Sequence, residues 1–370
     1  MNILQITALY KLRSGGAVQM YTLSEELVRR GHRVTAVFGS HPDFSGDFGI
    51  IDTSLVDVRF MDLPRLKLNA RTFKAVAELR RFIRKGGFDI VHVHKGAALN
   101  LVYLATVGLD IPIVANRGMT SPLTWTSAFK YRSRRVRKII AVAGAVKDVI
   151  VATGGIDPGK VEVVYGSVDT GDYRPDRQST LREEFGITTD VTVIGYVGSA
   201  LRRKGLPYLI EAFAGIAAER DNVVLVMVGV SADELAQFEV PPGIAGRIIP
   251  TGFRQDVANC MGAFDFFVFP GIEDEGLTGT VREAAASGLP VITSDVGGNR
   301  ELIEHMHNGM VVPKEDAESL RNALTYLLDN EEEAGRFAVN ARRFVEERMS
   351  VSVRGGTIES IYRDLTVESA

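Results

Sequence analysis

The sequence predicts an α/β protein made of two Rossmann-like domains, each a doubly wound parallel sheet. Three observations carry that expectation. Short β-branched runs alternate with helix-length periodic segments along most of the 370 residues. The strand runs are apolar throughout, as in parallel sheets covered on both faces. The series also breaks and restarts once, at the Gly-, Asp-, Pro- and Ser-rich stretch YGSVDTGDYRPDRQST.

In the first half the predicted strands are Asn2–Thr7, Arg33–Phe38, Asp89–Val93, Pro112–Ala115, Ile139–Ala143 and Val161–Val164. Helical stretches such as Gly16–Arg30 and Asn69–Lys85 lie between them. VTVIGYVG, VVLVMVG, IIPTG, FDFFVFP, LPVITSD and GMVVP supply the second series, and the chain from Ala317 onward is helical in pattern. The expected limits are a first domain over 1–168, a second over 169–350 and a closing helical segment over 351–370. Open parallel sheets take ligands at the carboxyl ends of their strands. Two such sheets facing each other would frame a deep cleft.

Composition narrows the function. Cys260 is the only cysteine, which excludes a disulfide scaffold, a CxxC redox pair and a cysteine-based zinc site. The net charge of −3 argues against a dedicated nucleic-acid binder. That average hides a split. Residues 1–168 hold 24 Lys+Arg against 13 Asp+Glu, and the remainder holds 19 against 33, so the first half suits an anionic partner. The longest uncharged apolar stretch, AALNLVYLATVGL, has 13 residues, short of the roughly 20 that span a bilayer. The expectation is a cytoplasmic protein, at most peripheral at the inner face of the cell membrane.

Four segments carry candidate chemistry. Gly15 and Gly16 stand where the first strand gives way to a helix. They read either as an anion-binding loop, since glycine lets a ligand approach free helix-end N–H groups, or as a tight turn. Neither GxGxxG nor GxxxxGK[ST] occurs. In FDIVHVHKGAA, His92 and His94 lie two apart at the end of a strand, followed by Lys95. Two histidines make a poor zinc site, and no metal site is expected. The run KYRSRRVRK, Lys130–Lys138, follows Trp125 and Phe129; Arg65, Lys67, Arg71 and Lys74 form a second basic patch. Such a run reads as contact with an anionic membrane surface or as a solvated helix.

The fourth segment is the pair of loops in the second half. GYVGSALRRKG places Ser199, Arg202, Arg203 and Lys204 between a strand and a helix, where cations would meet a diphosphate through charge-assisted bonds. FVFPGIEDEGLTGTVREAAASGLPVITSDVGGNRELI follows a strand with Glu275, then Thr278, Gly279 and Thr280, then Glu283 on a helix. Small residues at a helix start suit phosphate oxygens. Carboxylates suit the hydroxyls of a ribose or a sugar.

These residues, above all EGLTGTVREAAASGLPVITSDVGGNRELI, resemble retaining glycosyltransferases of the GT-B fold in the GT4 group, along essentially the whole chain. The resemblance implies two domains across a cleft, with a C-terminal helix returning to the first. It implies a nucleotide-diphosphate sugar, UDP- or GDP-linked, as donor, no cofactor and no essential metal. The acceptor it implies is a lipid-linked or polysaccharide molecule. By that resemblance Gly16 meets the diphosphate, Lys204 neutralises it, Glu275 holds the transferred sugar and Glu283 the ribose. The backbone at Thr278–Gly279 assists with the phosphates. Two positions depart from the family pattern: Ser199 stands where an arginine is common, and Arg117–Gly118 where a histidine is often found. His94 or Arg117 would then position the acceptor. A sugar-nucleotide epimerase, or a non-catalytic nucleotide-sugar or glycan binder of the same fold, is the alternative.

Overall fold

The computed structural model describes residues 1–12, 14–41, 52–273 and 276–367. The chain divides into two compact units, Met1–Ser167 with Val351–Ala370 and Val168–Ser350.

Unit 1 contains β1 (Asn2–Ile6), β2 (Arg33–Gly39), β3 (Asp57–Met61), β4 (Ile90–Val93), β5 (Ile113–Arg117), β6 (Val136–Ala141) and β7 (Val161–Val163). They pair in parallel in the order β3-β2-β1-β4-β5-β6-β7. Its helices are α1 (Gly15–Arg29), α2 (Ala70–Gly86), α3 (Gly96–Ala105), α4 (Trp125–Arg132), α5 (Gly144–Gly154) and, from the chain end, α14 (Val351–Val367). β3 is absent from the sequence reading. It is an edge strand, exposed or half-buried along its length, so it lacks the continuous apolar run that marks the others.

Unit 2 contains β8 (Thr192–Val197), β9 (Val223–Val228), β10 (Ile248–Gly252), β11 (Phe266–Phe269), β12 (Val291–Ser294) and β13 (Met310–Val312). Their order is β10-β9-β8-β11-β12-β13, again parallel. The helices are α6 (Leu181–Glu184), α7 (Leu206–Glu219), α8 (Ala232–Leu235), α9 (Val257–Met261), α10 (Gly279–Ala286), α11 (Asn299–Leu302), α12 (Ala317–Asp329) and α13 (Glu331–Arg348). Strand order reverses between β1 and β4 in unit 1 and between β8 and β11 in unit 2. At such a switch point neighbouring loops diverge and leave a crevice beyond the strand ends. Among the described residues no helix is long and apolar enough to cross a membrane.

The returning helix α14 is held to unit 1 by packing and by a closed polar ring. Ile358, Tyr362 and Leu365 join the core that α1 forms through Met20, Leu23 and Leu27. A Cβ at Gly355 would overlap Glu26 of α1, so glycine lets these helices approach closely. Beneath them Gln5 donates to the Tyr362 hydroxyl at 2.9 Å, and that hydroxyl lies 2.5 Å from His92 Nδ1. His92 Nε2 lies 3.0 Å from Asn116 Oδ1, the Asn116 amide 2.7 Å from His94 Nδ1, and His94 Nε2 2.5 Å from Gln5 Oε1. One consistent assignment has every member donating once and accepting once, with both imidazoles neutral and protonated at Nε2.

Burial holds both imidazoles in that neutral state. It pushes His92 down to about 3, and it pushes His94 well below the usual value, with the His92 and Arg354 charges acting in the same direction. An unfolded histidine takes its proton near pH 6.5. Below that pH the unfolded chain therefore binds more protons than the fold does. Unit 1 is expected to lose roughly 1.4 kcal/mol of stability per pH unit through His92 alone, with His94 adding in the same direction. Thermal melts between pH 7.5 and 5 check this; a midpoint that stays level would contradict the ring.

Candidate functional site

The candidate donor residues of unit 2 lie on two loops at the β8/β11 switch point. After β8, Gly198 donates to the Val228 carbonyl and the Tyr196 hydroxyl donates to the Ser199 carbonyl, which fixes the start of the loop. Ser199 and Arg202 are exposed, while Arg203 and Lys204 are half-buried. Arg202–Lys204 form one 3₁₀ turn that closes at Gly205, φ +75°. The Lys204 ammonium lies 5.0 Å from the centroid of the Phe269 ring, at the end of β11. The Arg203 carbonyl accepts from Ile272 N–H at 2.9 Å, which ties this loop to the one after β11.

After β11 the chain enters α10. Asp274 and Glu275 lie outside the described residues. The following residues are pinned from the DVGGN segment: Gly298 N–H donates to the Gly276 carbonyl, and Thr278 N–H donates to Asn299 Oδ1 at 3.1 Å. Asn299 is fully buried and donates in turn to Thr293 Oγ1 at 2.8 Å, at the end of β12. Thr278 is the N-cap of α10, yet its hydroxyl does not cap the helix. Buried Oγ1 atoms of Thr278 and Thr280 have no partner among the described residues. The first turn, beginning at Gly279, holds N–H groups that no helix can satisfy internally. Unsatisfied donors and hydroxyls gathered at a helix start suit a bound anion.

Glu283 completes this cluster. Its Oε1 reaches back to within 3.8 Å of where a Cβ on Gly279 would stand. Burial lifts the pKa of its carboxyl, and the adjacent Arg282 charge opposes that shift. Lys204, Thr278, Gly279, Thr280 and Glu283 therefore share the end of one β8/β11 pair.

In unit 1, Gly15 and Gly16 are the first two residues of α1, after Ser14. Nothing lies within 4 Å of a Cβ on Gly15, whereas one on Gly16 would meet Leu9 and stand 3.5 Å from Lys95 Cε. Gly16 and the exposed Lys95 thus lie together beyond the β1/β4 switch point. His94 sits at the same edge but turns into the polar ring, with both nitrogens hydrogen-bonded. Arg117, at the end of β5, donates to the carbonyl and hydroxyl of Ser121, at 2.5 and 2.9 Å. Its buried Nε has no acceptor among the described residues. Lys130 Nζ reaches Asn100 Oδ1 at 2.5 Å, and burial together with the Arg117 charge pushes its pKa down.

The basic run is not one helix. α4 ends at Arg132, Arg134 and Arg135 lie in the turn, and β6 carries Arg137 and Lys138. Arg135 is drawn inward over the Tyr103 ring and Lys138 pairs with Glu162 at 2.8 Å, which leaves Arg132, Arg134 and Arg137 exposed. Trp125 and Phe129 on α4 are 77% and 62% exposed.

Sequence reasoning missed Asn299, Arg282 and the ring partners Gln5, Asn116 and Tyr362. Gln5 had a signal, being a polar residue inside an otherwise apolar strand. Tyr362 had none, because its partners are hundreds of residues away.

Comparison with known proteins agrees with this architecture. Residues 13–172 match the family profile described as Glycosyltransferase Family 4, and residues 191–330 that described as Glycosyl transferases group 1. The chain is 24% identical over 330 residues to the UDP-Gal:alpha-D-GlcNAc-diphosphoundecaprenol alpha-1,3-galactosyltransferase of Escherichia coli, covering 84% of this chain and 85% of that protein. The solved glycosyltransferase from Rickettsia africae superposes with a TM-score of 0.86 at 22% identity, covering 100% of this chain and 99% of that one. Anabaena HepE, solved in complex with UDP, does so at 0.83 and 19% identity, covering 98% and 100%. The two sheets thus have the GT-B fold of these solved structures.

Proposed function

The chain belongs to the group 1, family 4 glycosyltransferases, and we propose that it transfers a sugar, with retention, from a UDP- or GDP-linked donor to a lipid-linked or polysaccharide acceptor. The observation that carries this reading is the cluster at α10: first-turn N–H groups that the helix cannot satisfy, two buried hydroxyls without partners among the described residues and the Glu283 carboxylate, at the same strand ends as the Arg202–Lys204 turn. An anion flanked by hydroxyl groups answers every member of that set, and a ribosyl diphosphate is such a ligand.

In this reading Glu283 accepts the ribose hydroxyls, and the Thr278–Thr280 backbone meets the phosphates, with Ser199 close by. Gly15 and Gly16 offer further first-turn N–H groups to an anion. As the C1–O bond of the sugar lengthens, C1 gains oxocarbenium character and negative charge grows on the departing diphosphate. Lys204, with Arg202 and Arg203, stabilises that charge more in the transition state than in the ground state. The departing phosphate takes the proton of the incoming hydroxyl on the same face, so no carboxylate need act as nucleophile. Glu275 is assigned to the transferred sugar. Arg117, with a guanidinium N–H to spare, positions the acceptor. His94 acts beside it by fixing Asn116 at the end of β5. The cations that meet the diphosphate are the protein's own, and no metal is assigned.

Incubation with UDP-, GDP- and ADP-sugars and a membrane extract tests the proposal. Nucleotide release with a heavier lipid or glycan product is expected, unchanged by EDTA; release of nucleotide from none of the donors would sink it. The E. coli relative is named for a diphosphoundecaprenol substrate, which supports a lipid-linked acceptor here and hence a protein working at a membrane surface. Trp125 and Phe129, exposed on α4, the exposed Arg132 at its end and the exposed Arg134 and Arg137 of the segment that follows suit such a surface. Co-sedimentation with phosphatidylglycerol vesicles is expected to exceed that with phosphatidylcholine. Replacing both aromatics by alanine should weaken it roughly tenfold. Equal behaviour with both lipids would contradict the assignment.

A further inference from the structure

Arg282 stands beside Glu283 on α10 and is only 4% exposed. Its Nε is buried without an acceptor among the described residues. A Cβ on Gly279 would stand 3.7 Å from Arg282 Nη2 and 3.8 Å from Glu283 Oε1, so both charged heads fold back toward the first turn of α10. A buried guanidinium without a counter-charge is strongly unfavourable. Here the half-buried Glu283 carboxylate supplies the opposite charge, acting through space.

Among the described residues the rest of the surroundings offers little competition. Of the elements packed on α10, β11 and β12 carry no titratable side chain. On α9, burial pushes Cys260 up to about 11, and Asp256 at its N-cap is closed by Arg254. On α13, Arg342 is taken up by the carbonyls of Thr170, Tyr173 and Ala286 and by Glu346. Among the described residues, the groups whose charge acts on Arg282 are Glu283 and the phenol of Tyr173.

We propose that Arg282 is a positioning residue for the donor site, its guanidinium holding the Glu283 carboxylate charged and turned toward the ligand's ribose. This rests on the donor reading above. Among the described residues, loss of the cation would leave burial as the influence on Glu283, and burial favours the protonated acid. A protonated Glu283 keeps less capacity to accept the two ribose hydroxyls. Donor binding would then fail as the pH falls through the raised value, and recover above it.

Calorimetric titration with UDP-glucose and GDP-mannose between pH 5.5 and 8.5 provides the test, on wild type, R282K and R282Q. R282Q is expected to bind within about threefold of wild type at the top of the range, then to weaken by up to about tenfold per pH unit below the new glutamate pKa. R282K, which keeps the charge, should follow the wild-type curve. An R282Q curve parallel to wild type overturns the proposal. If the wild type binds neither sugar nucleotide, the donor reading fails, and a melting-temperature cycle still decides the coupling. E283Q should then lower the midpoint and R282Q/E283Q restore it, whereas additive shifts contradict the pairing. Should R282Q not fold alone, folding of R282Q/E283Q carries the same meaning, and failure of both is the contrary result.

Discussion

Glu283→Ala is expected to weaken binding of the sugar nucleotide by about a hundredfold or more, because two charge-assisted hydrogen bonds of roughly 1.5–3 kcal/mol each are lost. The ribose takes no part in bond making, so the loss falls equally on ground and transition states. KM for the donor should rise while kcat changes little. The carboxylate proposed to make these bonds is half-buried and folds back toward the first turn of α10. Glu283→Gln, which keeps an acceptor oxygen but not the charge, should fall between the two. Steady-state kinetics with varied donor reads both parameters. An unchanged KM in the alanine variant would remove Glu283 from the ribose.

Gly205→Ala is expected to be the most damaging single methyl in unit 2. Gly205 has φ +75°, a conformation costly to any L side chain, and its Cβ would overlap the carbonyl oxygen of Pro270. The backbone must move, and it is the backbone that joins the Arg202–Lys204 turn to the end of β11. Strain and displacement together cost about 3 kcal/mol, which for a unit of this size lowers the melting midpoint by about 6–12 °C. Donor binding should weaken as well, since the three cations shift with the turn. Gly243→Ala is the control: a Cβ there meets nothing within 4 Å. Calorimetry on the two variants gives the comparison, and equal midpoints would show that the β8 and β11 loops are not held together as described.

Most of the fold was legible because parallel strands covered on both faces write themselves as apolar runs. Twelve of the thirteen strands among the described residues follow from that pattern, and β3 escapes it because its residues are exposed or half-buried. The basic run was harder to read. Charge alone did not say where α4 ends, and Val136, a buried β-branched residue among arginines, is where β6 begins. At the candidate donor site the sequence singled out Glu283 and the small residues before it by residue type. Arg282 looked like any helix-surface arginine, and only burial makes it notable. His94 went the other way. Its place at a strand end suggested contact with substrate, while the ring it closes depends on Gln5, Asn116 and Tyr362, brought together by the β1-β4-β5 order and by α14.

Hydrogen–deuterium exchange with and without a bound sugar nucleotide tests most directly whether the start of α10 is the donor pocket. Strong protection of the amides of residues 276–283 and 198–205 is expected, with α2 and α4 unchanged. A donor that binds measurably yet leaves the first turn of α10 exchanging at its free rate would contradict the account.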